Sequence, residues 1–202
     1  MQASPIRVLL VDDHPAVRLG LADLLDGEEG IELAGAAAGA REMLVEALRV
    51  TPDIAVVDYQ LGDGQTDGLA LCRMLKGLPR PPRVLVYSAY ADSRLAVTAL
   101  VAGADGVISK SSLGTEVAWA IRALAQGRRL LPPITPSVVG SLRDRLGPLD
   151  QAILGMLMRG VSEADISRAL DLPPERLSHR RWEMLRVLGA LPDREPISAV
   201  AS

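Results

Sequence analysis

The chain has no phenylalanine, and three tyrosines and two tryptophans bring its aromatic content to only 2%. This content argues against aromatic stacking platforms for single-stranded nucleic acid, and any nucleic-acid partner is expected to be a duplex. There is one cysteine, Cys72, so no internal disulfide can form. Its setting among Leu69, Leu71 and Leu75 marks a small core residue rather than a reactive thiol. No apolar run approaches the roughly 18 residues of a membrane span, and residues 1–7 lack the basic start and apolar centre of a signal peptide. A soluble, cytoplasmic protein with no membrane partner is expected. Neither sign of charge dominates: the net charge is −3, and residues 143–202 carry nine basic and nine acidic side chains. Such a chain is not a polyelectrolyte binder. At 202 residues and 49% hydrophobic, it can build one large domain or two small ones.

In the first half, short apolar strands alternate five times with helical patterns. Ile6 to Val11 precedes a helix near Pro15 to Leu25, and Ile31 to Ala36 precedes one near Ala40 to Val50. Ile54 to Val57 leads through a glycine-rich loop to a helix near Leu69 to Leu75. Val84 to Tyr87 precedes a helix near Ser93 to Ala102, and Gly106 to Ser109 one near Gly114 to Gln126. Alternation of this kind predicts an α/β fold, a doubly wound five-stranded parallel sheet whose uniformly apolar strands are buried on both faces. After Gly127 the prolines at 132, 133 and 136 break the pattern, leaving a linker over 127–145 with a short helix near Ser137 to Leu146. Only helices follow, over a second, smaller all-α domain at 146–202. One helix runs near Leu149 to Arg159. A second is capped by Ser162 with Asp165 three residues on, and a third runs from Pro174 to about Gly189.

Each of four strands ends in a polar residue of a defined kind: Asp12 and Asp13, Asp58, Ser88, and Lys110. In a parallel sheet these carboxyl ends converge on one crevice, where open α/β sheets place their ligands. Three carboxylates, a hydroxyl and an ammonium in one small volume describe a phosphoryl-accepting pocket.

The stretch Leu9-Leu10-Val11-Asp12-Asp13-His14-Pro15, the run Gly103-Ala104-Asp105-Gly106 leading into Lys110, and the intervals of 30 and 52 residues from Asp58 to Ser88 and to Lys110 carry a resemblance. Residues 1–126 resemble the flavodoxin-like receiver domain of two-component response regulators, and residues from 146 resemble the LuxR-type helix-turn-helix of the NarL/FixJ subfamily. Phosphoryl transfer to a carboxylate depends on positioning and charge neutralisation. Asp58 suits the nucleophile and Asp12, Asp13 and Asp58 an Mg2+ site, to which the resemblance adds the Gln60 carbonyl. Lys110 and Ser88 would contact phosphoryl oxygens. Uncompensated carboxylates so close together should raise at least one pKa, so Mg2+ should stabilise the fold. His14 is expected to pack at the start of the first helix. The resemblance further implies a sensor histidine kinase as donor, double-stranded promoter DNA as target, and a possible homodimer through receiver helices.

Several features depart from the family pattern. The loop from Leu61 to Gly68 is longer than usual, and Asp63 and Asp67 within it read as turn-formers. Val107 occupies the switch position where receivers commonly carry an aromatic, and Tyr90, also in the switch region, either signals or covers the pocket. The helix from Pro174 is the recognition helix by resemblance. Leu177, Met184 and Leu188 form its packing stripe, flanked by Leu185 and Arg181. Its candidate DNA contacts are Arg176, Ser178, His179, Arg180, Arg181, Trp182 and Arg186, with Arg180 and Arg181 equally readable as flank residues covering the core. Pro196 interrupts the segment near Asp193 and Arg194 where a dimerising fourth helix would begin.

The leading expectation is a phosphorylation-switched transcription regulator. The alternative is a phosphorylation-switched protein-interaction module whose helix-turn-helix has lost DNA binding and presents Trp182. A hydrolase with an aspartyl nucleophile usually has a second aspartate two residues on, where this chain has Gln60, so an enzyme is not expected.

Overall fold

The computed structural model describes residues 4–62, 67–112 and 114–189. Five strands, β1 (Ile6–Val11), β2 (Ile31–Ala37), β3 (Ile54–Asp58), β4 (Arg83–Ser88) and β5 (Gly106–Ser109), form one parallel sheet in the order β2-β1-β3-β4-β5. Between them lie α1 (Pro15–Asp26), α2 (Ala40–Val50), α3 (Gly68–Lys76), α4 (Ser93–Ala102) and α5 (Gly114–Ala125). The order reverses at β1, which opens a crevice between the carboxyl ends of β1 and β3. Pairing of Val11 with Val57 and of Ser88 with Ser109 brings the strand ends level, so the polar residues beyond them share one rim. The strands exceed their apolar runs by a residue or so at Ala37, Asp58, Arg83 and Ser88, because the ladder continues after the hydrophobic pattern stops.

The sheet is covered on both faces. Val8, Leu10, Ile54, Val56 and Leu85 pack under α1 and α5. Leu9, Val11, Ala55, Val57, Val84 and Val86 pack under α2, α3 and α4, and Cys72 lies fully buried among them, its thiol pushed up by burial to about 12. Asp105 closes the edge between β4 and β5. Its carboxylate accepts from Lys76 Nζ (2.6 Å), Arg83 Nη1 (2.7 Å) and the Val84 N–H (2.9 Å).

Residues 127–135 begin by running along β5, where the Leu130 carbonyl accepts from the Val107 N–H at 2.7 Å. Then come α6 (Pro136–Arg143), α7 (Pro148–Met158), α8 (Glu163–Ala169) and α9 (Pro174–Val187). Ser162 caps α8 as expected, its Oγ accepting from the Asp165 N–H at 3.1 Å and donating to Asp165 Oδ2 at 2.6 Å. Asp171, at φ 51°, makes the turn into α9 in the left-handed region that aspartate tolerates.

The core does not stop at the linker. The cluster beneath α2, α3 and α4 continues through Leu142, Leu146, Ile153, Leu157, Ile166, Leu177, Met184 and Leu188 of the C-terminal helices. The joint is α4, every residue of which from Leu95 to Ala102 is buried. A helix apolar all round must be covered all round: the sheet takes one side of α4, and α6, α7 and α9 take the other. Among the described residues, no helix is long and apolar enough to cross a membrane.

Candidate functional site

After β1 the chain turns through His14, the N-cap of α1, with Pro15 in the first helical turn. The turn aims Asp12 into the crevice: the His14 N–H donates to Asp12 Oδ1 at 2.8 Å and Arg18 donates to the Asp12 carbonyl at 2.6 Å. Asp58, the last residue of β3, accepts from the Gln60 N–H at 3.2 Å. Lys110, just past β5, places Nζ 2.7 Å from Asp12 Oδ2 and 2.8 Å from Asp58 Oδ2. The ammonium thus bridges the two carboxylates, and among the described residues no other group serves the buried Asp58 Oδ2. Both aspartates are 2% exposed.

Two glycines fit the loop to the pocket. The Gly62 N–H donates to Asp13 Oδ2 at 3.0 Å, and a Cβ there would lie 2.2 Å from that oxygen. At Gly68 a Cβ would stand 2.2 Å from the Asp58 carbonyl oxygen, so only glycine lets α3 start directly against the end of β3. Asp67 caps α3, accepting from the Ala70 N–H at 2.7 Å; Asp63 lies outside the described residues.

Burial raises the Asp58 carboxyl above the ordinary aspartate value, and the neighbouring charge of Asp12 adds to the rise, while Lys110 and the Gln60 N–H hold it back. Burial pulls the Lys110 ammonium down, but its hydrogen bonds and attraction to Asp12 and Asp58 outweigh that, so its pKa is raised. Among the described residues, Lys110 is thus the cation set against both Asp12 and Asp58. One ligand atom from each of Asp12, Asp13, His14 and Asp58 lies within 4.8 Å of all the others. An oxygen-rich set of this kind suits a hard divalent cation.

His14 departs from expectation. Its side chain is 67% exposed rather than packed, and Nδ1 lies 2.8 Å from Asp13 Oδ1. Ser88 stands at the end of β4 with its Oγ engaged locally, accepting from the Tyr90 N–H and donating to the Tyr90 carbonyl, both at 3.2 Å. The Tyr90 side chain is 78% exposed and so does not cover the pocket, whereas Val107 is buried in the core beside α4.

On α9, Arg176, His179 and Arg186 are exposed and Trp182 is half-buried. The other three candidate DNA contacts are held within the protein. Ser178 Oγ accepts from Arg73 of α3 at 2.6 Å. Arg180 pairs in a fork with Asp150 of α7, at 2.9 and 2.7 Å, and with Glu183. Arg181, 1% exposed, lies on the packing stripe with Leu177, Met184 and Leu188 and reaches α4, so it is not on the outward face. Helical spacing placed it beside that stripe but could not show that the stripe would meet a second layer. Arg73, Asp150 and Glu163 were not singled out in the sequence. Their partners lie 18 to 105 residues away, and no local motif announces them.

Residues 8–122 match the family of response regulator receiver domains. The chain is 30% identical over 194 residues to the DNA-binding transcriptional activator DevR/DosR of Mycobacterium tuberculosis, covering 91% of this chain and 88% of that protein. Among solved structures, it resembles a LuxR-family two-component response regulator from Aurantimonas sp. SI85-9A1 at 34% identity and a TM-score of 0.59, over 68% of this chain and 94% of the other. It also resembles the response regulator ChrA of a haem-sensing two-component system at 28% identity and a TM-score of 0.54, over 93% of this chain and 92% of the other.

Proposed function

The chain belongs to the receiver-domain response regulators, and from that premise we propose that Asp58 accepts a phosphoryl group from a sensor histidine kinase and that the modified protein regulates transcription through its helix-turn-helix, α8 and α9. The observation that carries the first part is the Lys110 ammonium between Asp12 and Asp58, 2.7 Å from one carboxylate and 2.8 Å from the other.

In this reading an Asp58 carboxylate oxygen attacks phosphorus, a new O–P bond forms, and the bond to the donor breaks, giving an acyl phosphate. Mg2+ held by Asp12, Asp13 and Asp58, with the Gln60 carbonyl, would neutralise phosphoryl oxygens. Lys110 keeps its position and exchanges its contact with Asp58 for one with a phosphoryl oxygen. Ser88 Oγ exchanges its bond to the Tyr90 carbonyl for another such oxygen, at a net cost near zero because one hydrogen bond replaces another. Asp58→Asn should abolish labelling by acetyl phosphate with Mg2+, and undiminished labelling of that variant would refute the assignment.

The outward strip of α9, with Arg176, His179, Trp182 and Arg186, is the surface we assign to duplex promoter DNA. Two-fold symmetric half-sites would require a dimer, which we place on the receiver helices. The engagement of Ser178, Arg180 and Arg181 inside the protein favours the second reading, in which α9 no longer binds DNA and serves a protein partner. Selection of bound genomic duplexes with and without phosphorylation separates the two, because salt-dependent recovery of discrete sites occurs only in the first.

A further inference from the structure

His14 stands where a histidine is a poor choice for local structure. It is the N-cap of α1, a position that serine, threonine, aspartate and asparagine fill best, and its side chain makes no capping hydrogen bond. The ring is turned to the pocket instead, with Nδ1 2.8 Å from Asp13 Oδ1 and 3.4 Å from Asp12 Oδ1. A ring N–H points at one acceptor, whereas an ion shared by all three groups would hold both carboxylates at such separations. Ligand atoms about 2.1 Å from one ion lie about 3.0 Å apart on an octahedron and about 3.4 Å apart on a tetrahedron.

The surroundings orient these atoms. Lys110 engages Asp12 through Oδ2, whereas His14 Nδ1 faces Oδ1 of the same carboxylate. The Gly62 N–H holds Asp13 Oδ2 and the His14 N–H holds Asp12 Oδ1, so backbone donors fix both carboxylates, as outer-shell groups do around metal ligands. The His14 side chain is mostly exposed, which leaves an ion from solvent an open approach and lets the ring be replaced without opening a cavity. A ring nitrogen gives Mg2+ little, because that ion takes oxygen ligands and holds its waters. Imidazole suits Zn2+ and its neighbours in the first transition row.

We propose that His14 Nδ1 is a metal ligand that sets the metal preference of the pocket. With Asp12, Asp13 and Asp58 it forms a site of one nitrogen and three carboxylates, which favours a borderline-soft divalent ion of the Zn2+ and Co2+ class over Mg2+. The carboxylates are those of the reading above, on which the assignment rests, but the ligand role of His14 does not require Asp58 to accept a phosphoryl group. Preference is a difference of affinities, so a donor that strengthens one ion and not the other shifts occupancy by that ratio.

The chain has two histidines, so isotopic labelling of the histidine rings in the full chain gives two imidazoles to follow by NMR. Equimolar Zn2+ should move the His14 Nδ1 resonance and leave His179, on α9, in place, whereas millimolar Mg2+ should leave both rings at their uncoordinated positions. By calorimetry, His14→Ala should weaken Zn2+ binding at least as much as loss of an outer-shell partner does, about ten- to a hundredfold, and leave Mg2+ binding where it was. His14→Gln, which can still donate a hydrogen bond to Asp13, should behave as His14→Ala. An unmoved His14 resonance would overturn the proposal. So would Zn2+ and Mg2+ weakened alike, or full Zn2+ affinity in His14→Gln, since a ring that only positions Asp13 acts on both ions. Zn2+ bound through His14 in a chain that neither binds Mg2+ nor is labelled at Asp58 by acetyl phosphate would uphold the ligand and refute the phosphoryl-acceptor reading. Labelling with Mg2+ and no Zn2+ response at His14 would do the reverse.

Discussion

Lys110→Met would remove the cation that bridges Asp12 and Asp58. The substitution keeps most of the side chain's volume, so its effect is electrostatic. Removing one partner of a buried ion pair costs about 3–5 kcal/mol, because the survivor stays buried without compensation. Here two carboxylates survive, each 2% exposed, but the Lys110 side chain is itself 22% exposed and its departure admits water. A loss of about 2–4 kcal/mol at neutral pH is expected.

The loss should depend on pH with a definite sign. Burial already raises the Asp58 pKa, with Asp12 adding to it, and Lys110 is one of the groups that holds it down. Without Lys110 it rises further. A carboxyl whose pKa is higher folded than unfolded binds its proton more tightly in the folded state, so its contribution is most favourable at low pH and is lost as pH rises through the folded value. The variant should therefore lie closer to wild type at pH 5 than at pH 7. Millimolar Mg2+ should restore part of the difference at pH 7 by supplying the missing charge. Urea denaturation at the two pH values, with and without Mg2+, measures all three quantities. An equal loss at both, untouched by Mg2+, would refute the account of the pocket.

Asp67, the N-cap of α3, is pushed by burial to about 6 against the pull of the Ala70 N–H. Its folded pKa lies above its unfolded value, so stability should fall as pH rises from about 4 to about 6. Asp67→Asn, which preserves a capping oxygen, should flatten that part of a thermal-denaturation profile. Gly68→Ala would set a methyl 2.2 Å from the Asp58 carbonyl oxygen and 2.8 Å from the Tyr59 Cα, both backbone atoms that cannot yield cheaply. A loss of about 1–3 kcal/mol by denaturation is expected from such overpacking, together with slower acetyl phosphate labelling because the end of β3 must move.

The sheet and its pocket were legible because their signals are local: an apolar run marks each strand, and the next polar residue marks the rim. Asp12, Asp13, Asp58 and Lys110 can be brought together from topology alone, since parallel strands share one end, whereas the Ser88 hydroxyl is engaged with Tyr90. The exposure of His14 is not legible in spacing, because its environment depends on which way the Asp13 carboxylate turns. Arg181 shows a different limit. A helical wheel identifies a packing stripe but not how many layers lie over it, so a long cation at the edge of the stripe reads equally as a solvated flank or a buried cap. A clue did exist in α4. Its sequence Leu95-Ala-Val-Thr-Ala-Leu-Val-Ala102 has no charged residue to face water, which marks a helix covered on every side.

That burial bears on how a phosphoryl signal would travel. Val107 is buried in the same core as Leu95, Val97 and Leu100, and having no ring it cannot act as a rotor that turns inward when Ser88 moves. For the proposed phosphoryl signal, the connection from β4 to α4 offers a route. Ser88 Oγ holds the Tyr90 N–H and carbonyl, and Asp92 caps α4 two residues later, accepting from the Leu95 N–H at 2.8 Å. A phosphoryl oxygen that took the Ser88 hydrogen bond would release the Tyr90 carbonyl, a contact worth about 1 kcal/mol, ahead of the end of α4 that carries Arg94. The far end of α4 presents its carbonyls to Arg181. Packed interiors shift as units rather than deform continuously, so a small displacement at the cap would reach both ends of the α4–α9 contact. In this chain α4 thus touches both β5 of the receiver and the C-terminal helices α6, α7 and α9, so under the proposed function a displacement at its cap would reach α9 without an aromatic at Val107.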